Sequence, residues 1–359
     1  FPTSLGEDWS AKFPSANCQS YKDNAGNPIT VNRCNNVTEN GVTVANPRGA
    51  WTQQMLDLQT NRLVTSINEL DAAALGLMEL ENSYKMSFGD ASKAGASAAY
   101  LVNALNEAAG EAKWAYITPD PANQEPIDEM DVMYPGIIYQ PAKVTAVEGG
   151  QLTLNDQSAE GQAFGNARAP FGQLFVPKDG VDPFFLVANH FKSKGSGDDD
   201  GTGEGNSNPS RIAQAEALAT WLNGPLKDTI KDRTDYDVED FVLVGDFNSY
   251  TFEKPMLALY DAGFTNLNIV DGVPVADSYS YSGLNGSMDH VIVSDSALER
   301  VTGHAIWDIN ASQQVGLNYS RYNVTGGEFV QDAYNTPLRV SDHSPAVVGF
   351  SESSRSEER

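Results

Sequence analysis

The spacing of apolar positions changes several times along the chain, and each spacing predicts an element. Residues 1–50 are interrupted throughout by Pro, Asn and Gly and predict a loop-rich segment. From Trp51 onward, Leu56, Leu63, Ile67 and Leu70 recur at helical intervals and share one face. Residues 73–80 then form an apolar run with Glu79 near its end, the pattern of a buried strand. A second helix is predicted over 97–109, with short strands at 114–117, 136–139, 143–147 and 151–154. In the second half, 184–189 (FFLVAN), 241–244 (FVLV), 291–293 and 346–350 are apolar on both faces. Such strands belong inside sheets covered on both sides. Asn208 and Pro209 predict a helix start, with Asn as cap and Pro in the first turn. Ile212, Ala215, Leu218, Ala219 and Leu222 would be its buried stripe. Helices alternating with two-sided strands, and no repeat or dividing linker, predict one α/β domain over 1–350. The polar tail 351–359 is predicted to be disordered.

Charge narrows the partners. The chain has 359 residues with 48 acidic and 23 basic side chains, a formal charge of -25. That argues against long-range attraction to nucleic acid or anionic lipid. It leaves room for a polyanionic substrate in a cleft where a metal ion and a few cations reverse the local potential. A surplus of carboxylates also predicts tolerance of high salt, which screens self-repulsion. No apolar run reaches the roughly 18 residues of a membrane-spanning helix. There is no charged-then-apolar leader, so Phe1 is read as the start of a mature or trimmed chain. Cys18 and Cys34 are the only cysteines and lie in a polar, Asn-rich stretch. A disulfide is favoured over two free thiols, and zinc is disfavoured because there is no Cys-x-x-Cys and no nearby His. A disulfide points to export.

The candidate chemistry clusters at strand ends. His190 follows FFLVAN and precedes Lys192 and Lys194, an imidazole and two cations where a phosphate could lie. VLVGDFNS (242–249) carries a buried strand into Asp246 and Asn248, alternate residues on one side. SMDHVIVS (287–294) holds Asp289 and His290, and SDHSP (341–345) holds Asp342 and His343. Glu79, Asp246 and Asp342, with the carbonyl of Asn248, make a hard oxygen set suited to Mg2+, Mn2+ or Ca2+. A histidine oriented by a carboxylate, as His343 could be by Asp289, can deprotonate water. Metal, activated water and cations together describe attack on a phosphorus centre.

At these residues the chain resembles the endonuclease/exonuclease/phosphatase superfamily, and within it the bacterial extracellular nucleases. LMELEN (77–82), ANHFKSKG (188–195), VLVGDFNSY (242–250), SMDHVIVS and SDHSPAVV (341–348) carry the resemblance, in the family's order. YPGIIYQPAKV (134–144), NARAPFGQLFV (166–176) and YSYSGLNGSMDH (279–290) extend it, over most of 48–350. The resemblance implies a four-layer α/β/β/α sandwich of the DNase I-like type. It implies Glu79 and Asp342 at the metal, His190 on the scissile phosphate, and Asp246 and Asn248 positioning nucleophile and oxyanion. It further implies His343 as general base oriented by Asp289, Arg168 gripping a phosphate, and Asp131 supporting His190. The family's opening strand, with its asparagine, has no counterpart from Phe1 onward, so the first strand is expected to be missing from this chain. The loop 195–208 lacks the cysteines close relatives often carry. Its Asp198, Asp200 and Glu204 are oxygen donors, though a solvated acidic loop is favoured over a Ca2+ site.

The expected function is a secreted, divalent-metal-dependent nuclease of low sequence specificity, cutting DNA and potentially RNA. The alternative is a phosphodiesterase or phosphatase of the same fold acting on phospholipid head groups or inositol phosphates, against which no exposed apolar hairpin of obvious length is legible. A non-catalytic binding module is a weaker third reading, because every motif residue is of the reactive type.

Overall fold

The computed structural model describes residues 1–23, 25–120, 123–178, 180, 182–318 and 336–351. Its framework is a six-stranded sheet. In spatial order the strands are Phe264–Asn266, Asp289–Ser294, Asp240–Asp246, Phe184–His190, Phe171–Pro177 and Val144–Thr153. The two-sided apolarity of its central strands shows directly in the packing. Phe185, Val187, Leu243 and Ile292 point to one face, where they meet Ala215, Leu218 and Leu222 of the Asn208–Asn223 helix and Leu226 and Ile230 of the Pro225–Thr234 helix. The intervening Leu186, Ala188, Val242, Val291 and Val293 point to the other face. There they meet a second β layer, made of a three-stranded sheet (Ala74–Glu81, Met133–Tyr139, Ala115–Tyr116) and the antiparallel pair Val301–Ile306 and Ala346–Phe350. Helices Gln53–Leu70 and Ala96–Ala109 cover the three-stranded sheet with Leu56, Ile67, Leu101 and Leu105 against Leu80 and Ile138. The result is the α/β/β/α order of layers. Each fully buried Leu, Ile or Phe contributes roughly 1.5–3 kcal/mol by leaving water.

Several elements differ from the sequence expectation. The strands expected at 143–147 and 151–154 are one strand, Val144–Thr153, whose pairing slips between Ala146 and Gln151. Glycines 149 and 150 interrupt the apolar pattern there, so a bulge looks locally like a turn. Asn208 is not the cap of its helix. Ser207 occupies that position in the left-handed region, and Asn208 is buried inside the first turn with its Nδ2 donating to Asp200 Oδ2 at 3.1 Å. Residues 1–50 carry a helix (Gly6–Lys12) and two hairpins (Gln19–Lys22 with Pro28–Arg33, Val37–Glu39 with Val42–Val44). Trp9, Phe13, Val37, Val42 and Val44 make a small core with Met86, Phe88, Val132 and Met133. Cys18 and Cys34 are joined beside it in a disulfide. The tail expected to be disordered lies, from 352 on, outside the described residues. Among the described residues no helix is long and apolar enough to cross a membrane.

Candidate active site

The site is assembled by sheet register. The Phe184–His190 strand runs parallel to Asp240–Asp246 and sets His190 opposite Asp246. The Asp240–Asp246 strand runs antiparallel to Asp289–Ser294 and sets Asp246 opposite Asp289. Neighbouring strands lie about 4.8 Å apart. Three residues from three distant motifs therefore stand side by side on one rim. Gly245, at φ 133°, lets the middle strand arrive there. A Cβ at this position would run into the carbonyl oxygen of Asn189 on the next strand. Beyond Asp246 the chain reverses through Asn248 at φ 47°. The Asn248 N–H donates to Asp246 Oδ1 (2.7 Å), and its Nδ2 donates to Asp246 Oδ2 (3.0 Å) and to the Phe191 carbonyl (3.1 Å).

The fourth member comes from far along the chain. His343 pairs through its backbone with Tyr279, and its Nδ1 lies 2.7 Å from Asp289 Oδ2. With Nδ1–H donating to a carboxylate, Nε2 is left as the basic nitrogen. Ser278 fixes the carboxylate in turn: its hydroxyl donates to Asp289 Oδ2 at 2.7 Å and accepts from the Asp289 N–H at 3.1 Å. Tyr279 stacks on the imidazole, with ring centres 4.5 Å apart and planes 30° from parallel. Asn310 Nδ2 donates to the His343 carbonyl at 2.7 Å. Sequence reasoning assigned no role to Ser278, Tyr279 or Asn310. Tyr279 opens the YSYSGLNGSMDH stretch and Ser278 precedes it, which was their only signal.

No protein-family model matches the chain, and no curated protein matches it. Solved structures do. An endonuclease/exonuclease/phosphatase family protein from Leptotrichia buccalis superposes with a TM-score of 0.50 at 12% identity, over 84% of this chain and 95% of that one. The chain has the endonuclease/exonuclease/phosphatase fold. A mannosyl-6-phosphatase from Bacteroides thetaiotaomicron (TM-score 0.47, 16% identity, 82% and 90% covered) is among the other similar structures. Danio rerio TDP2 in complex with a single-stranded DNA product is another (0.48, 13%, 82% and 91%).

Within this fold the structure gathers only part of the residue set expected from the sequence. Asp246, Asp289 and His343 offer donor atoms that all lie within 4.8 Å of one another. His190 Nε2 is 3.8 Å from Asp246 Oδ2. Glu79 and Asp342 are not members of that tight group, but each acts on it through its charge, Glu79 on Asp246 and Asp342 on His343, while Asp289 stands where it was expected, against His343. Glu79 sits in a bulge at φ 59°, where pairing slips between Leu77 and Leu80, and its carbonyl accepts from the Phe1 ammonium. Asp342 is on an exposed turn beside His343. Asp131 does not support His190. It forms an ion pair with Arg168 at 2.9 Å, while His190 Nδ1 is buried without a hydrogen-bond partner. Lys194 pairs with Glu253 and the Glu204 carbonyl, and its ammonium lies over the Tyr250 ring. Lys192 is half-buried, its N–H donating to Gln214 Oε1 at 2.9 Å. In the 195–208 loop Asp200 accepts from Thr202 and Asn208.

His290, adjacent to Asp289 in sequence, points away from this cluster. Its Nε2 is 2.9 Å from the Ser249 carbonyl and its Nδ1 3.0 Å from Asn266 Nδ2. It is a structural strap for the loop that carries Asn248.

Electrostatics divide the members of the cluster. Burial, then the charges of Arg168, His343 and the N-terminus, hold His190 well below its ordinary value, so it is a neutral imidazole. Burial also pulls His343 down, but the carboxylate of Asp289, through charge and hydrogen bond, outweighs it with help from Asp246 and Asp342, and the net direction is up. Asp246 is pushed up by burial and by the neighbouring charges of Asp289 and Glu79, against the opposing pull of His343. Two buried carboxylates in contact are costly without a compensating cation. A hard divalent ion fits this donor chemistry: carboxylate oxygens, with the Asn248 carbonyl oxygen uncommitted once both of its amide hydrogens are used.

Proposed function

We propose that the chain is a secreted, divalent-metal-dependent phosphodiesterase that hydrolyses DNA with low sequence specificity, RNA being the second candidate substrate. The observation that carries this reading is the Ser278–Asp289–His343 relay facing Asp246 and His190 at one rim of the sheet. Asp289 holds the His343 ring and stabilises the imidazolium formed when Nε2 takes a proton from water; the charges of Asp246 and Asp342, which also favour that charged form, would be offset by a bound cation, leaving Nε2 unprotonated beforehand. Asp246 orients that water. Neutral His190 would stabilise charge developing on the phosphate through its ring N–H. Arg168, steadied by Asp131, and Lys192 hold the flanking phosphates. Asp246 and Glu79, with Asn248, would hold Mg2+ or Mn2+, and Ca2+ is a further candidate. Such an ion supplies charge neutralisation at the phosphate oxygens. The Cys18–Cys34 disulfide supports an oxidising compartment, hence secretion.

The test is nicking of supercoiled plasmid with Mg2+, Mn2+ or Ca2+, each with an EDTA control, beside His343→Ala and Asp246→Ala. Each variant should lose at least about a hundredfold in rate, the scale of a positioned general base. Full activity in both would end the mechanism.

One observation favours the second reading, a phosphoesterase for phospholipid head groups or inositol phosphates. The hairpin Ile269–Val270 with Val273–Pro274 exposes Val270 and Val273 on either side of its Asp271–Gly272 turn, and Val275 just after it is exposed as well, apolar surface the sequence pattern did not reveal. Hydrolysis of sphingomyelin vesicles with none of DNA would decide for it.

A further inference from the structure

A chain of charge -25 that binds a polyanion needs a source of affinity other than long-range attraction. The cations near the rim are few, and most already have partners. Arg168 is paired with Asp131, Lys194 with Glu253, and Arg211 is turned onto the carbonyls of Lys192, Glu204 and Asn206. Aromatic surface is available instead. From His343 a column of rings leads outward: Tyr279 stacks on the imidazole at 4.5 Å, and Tyr281 lies beside Tyr279 at 6.5 Å with planes only 12° apart. Both tyrosines belong to the hairpin Tyr279–Tyr281 with Leu284–Gly286. Tyr281 is 65% exposed and Leu284 at the tip 75%. An exposed tyrosine and leucine on a two-residue turn have no role in the core, yet the hairpin is held firmly. Gly286 packs so close to the Tyr250 ring that a Cβ there would overlap it, and the Ser278 N–H bonds to the Gly286 carbonyl at 3.0 Å. Beside the column is a recess of about 230 Å³, lined by Tyr279, Asn285, Asp277, Asp308 and Ser312. It pairs one aromatic wall with polar edges, as a planar heterocycle requires.

We propose that this hairpin is a nucleobase platform: Tyr281 and Tyr279 take the base of an unpaired nucleotide next to the scissile phosphate, with its polar edge toward the Asn285 side of the recess. The proposal rests on the nucleic-acid reading above and names how that substrate is gripped. Every base has a π face, so stacking confers affinity without sequence preference. It also predicts preference for single strands or frayed ends, because a base within a duplex is not free to stack on Tyr281.

The experiment compares cleavage of a single-stranded oligonucleotide with cleavage inside a central run of abasic residues in the same oligomer. The wild-type chain should show a KM about tenfold lower for the base-bearing segment, the scale of one base–aromatic stack. Tyr281→Ala should lose that discrimination by a raised KM on the base-bearing segment, and Tyr281→Phe and Tyr281→Trp should keep it. Discrimination retained in Tyr281→Ala, or lost in Tyr281→Phe, overturns the platform. Fluorescence anisotropy of the same oligomers, read on Asp246→Asn with and without Tyr281→Ala, separates the two levels of the proposal. Base-dependent binding through Tyr281 in a chain whose wild-type form does not cleave keeps the platform and removes the hydrolytic reading. Absence of any oligonucleotide binding removes both. Tyr281-dependent binding to phosphatidylcholine–sphingomyelin vesicles, with no base discrimination, assigns the hairpin to a lipid surface and overturns the proposal.

Discussion

Acid should unstrap the active-site loop through His290. The ring is 1% exposed and lies between two partners of fixed character. The Ser249 carbonyl can only accept, and the Asn266 amide nitrogen can only donate. The neutral tautomer with the proton on Nε2 satisfies both, and a second proton would set N–H against N–H. Burial, helped by His304 and opposed by the Ser249 carbonyl and Asp289, lowers the pKa to about 4. In the unfolded chain histidine titrates near 6.5. Between those values the unfolded chain binds the proton more strongly. The stabilisation is therefore complete above about pH 6.5 and is lost as pH falls toward 4. A gap of about 2.5 pH units at 1.36 kcal/mol each amounts to about 3 kcal/mol. Urea unfolding between pH 7 and pH 4, on the wild type and on His290→Gln, isolates this contribution. Glutamine offers one donor and one acceptor but takes up no proton. The variant should begin less stable at pH 7, and the difference should shrink by about 3 kcal/mol by pH 4. Parallel stability curves would refute the reasoning. So would an imidazole C–H resonance of His290 titrating near 6.5 in the native protein.

Three further outcomes follow from the same contacts. Gly245→Ala should destabilise the chain by more than about 2 kcal/mol in denaturant titration, since it combines a backbone region reserved for glycine with a clash against Asn189, and it should lower activity by separating His190 from Asp246. Reducing the Cys18–Cys34 bridge, which closes a loop of sequence separation 16, should cost about 3 kcal/mol, read as a lower calorimetric midpoint matched by the Cys18→Ser, Cys34→Ser double variant. Activity on DNA should persist at half-molar salt, because few free cations contribute to binding; a steep loss below that concentration, measured in the nicking assay, would contradict the stacking-based account.

The site was legible in the sequence to an uneven degree. GDFN and SDHSP place reactive side chains directly after or before two-sided apolar strands, so the local pattern alone marks Asp246, Asn248, Asp342 and His343. Metal-ligand identity was less legible. Glu79 and Asp342 have the right chemistry, but the grouping of Asp246, Asp289 and His343 comes from sheet register and from the Tyr279–His343 bridge, which no local pattern shows. His290 and His343 each follow an aspartate and cannot be told apart by their neighbours. One is sealed between Ser249 and Asn266, the other pairs with Asp289.

Residue spacing by itself determined the three longest helices among the described residues, several of the buried strands and the chemical classes at their ends, but neither the buried strand Phe171–Pro177 nor the helices Pro225–Thr234 and Lys254–Asp261. Which face a side chain takes is a local property, repeated every two or 3.6 residues. Only the tertiary structure decided that His190, Asp246 and Asp289 become neighbours, because their adjacency is set by hydrogen-bond register between strands more than 40 residues apart in sequence. The second hairpin within residues 1–50 is illegible for a related reason: Val37, Val42 and Val44 share a core with Met86, Phe88, Val132 and Met133 from distant segments, which the local pattern does not show. The same holds for the stacking of Tyr279 on His343, where two aromatic rings 64 positions apart meet because one backbone bridge joins their segments.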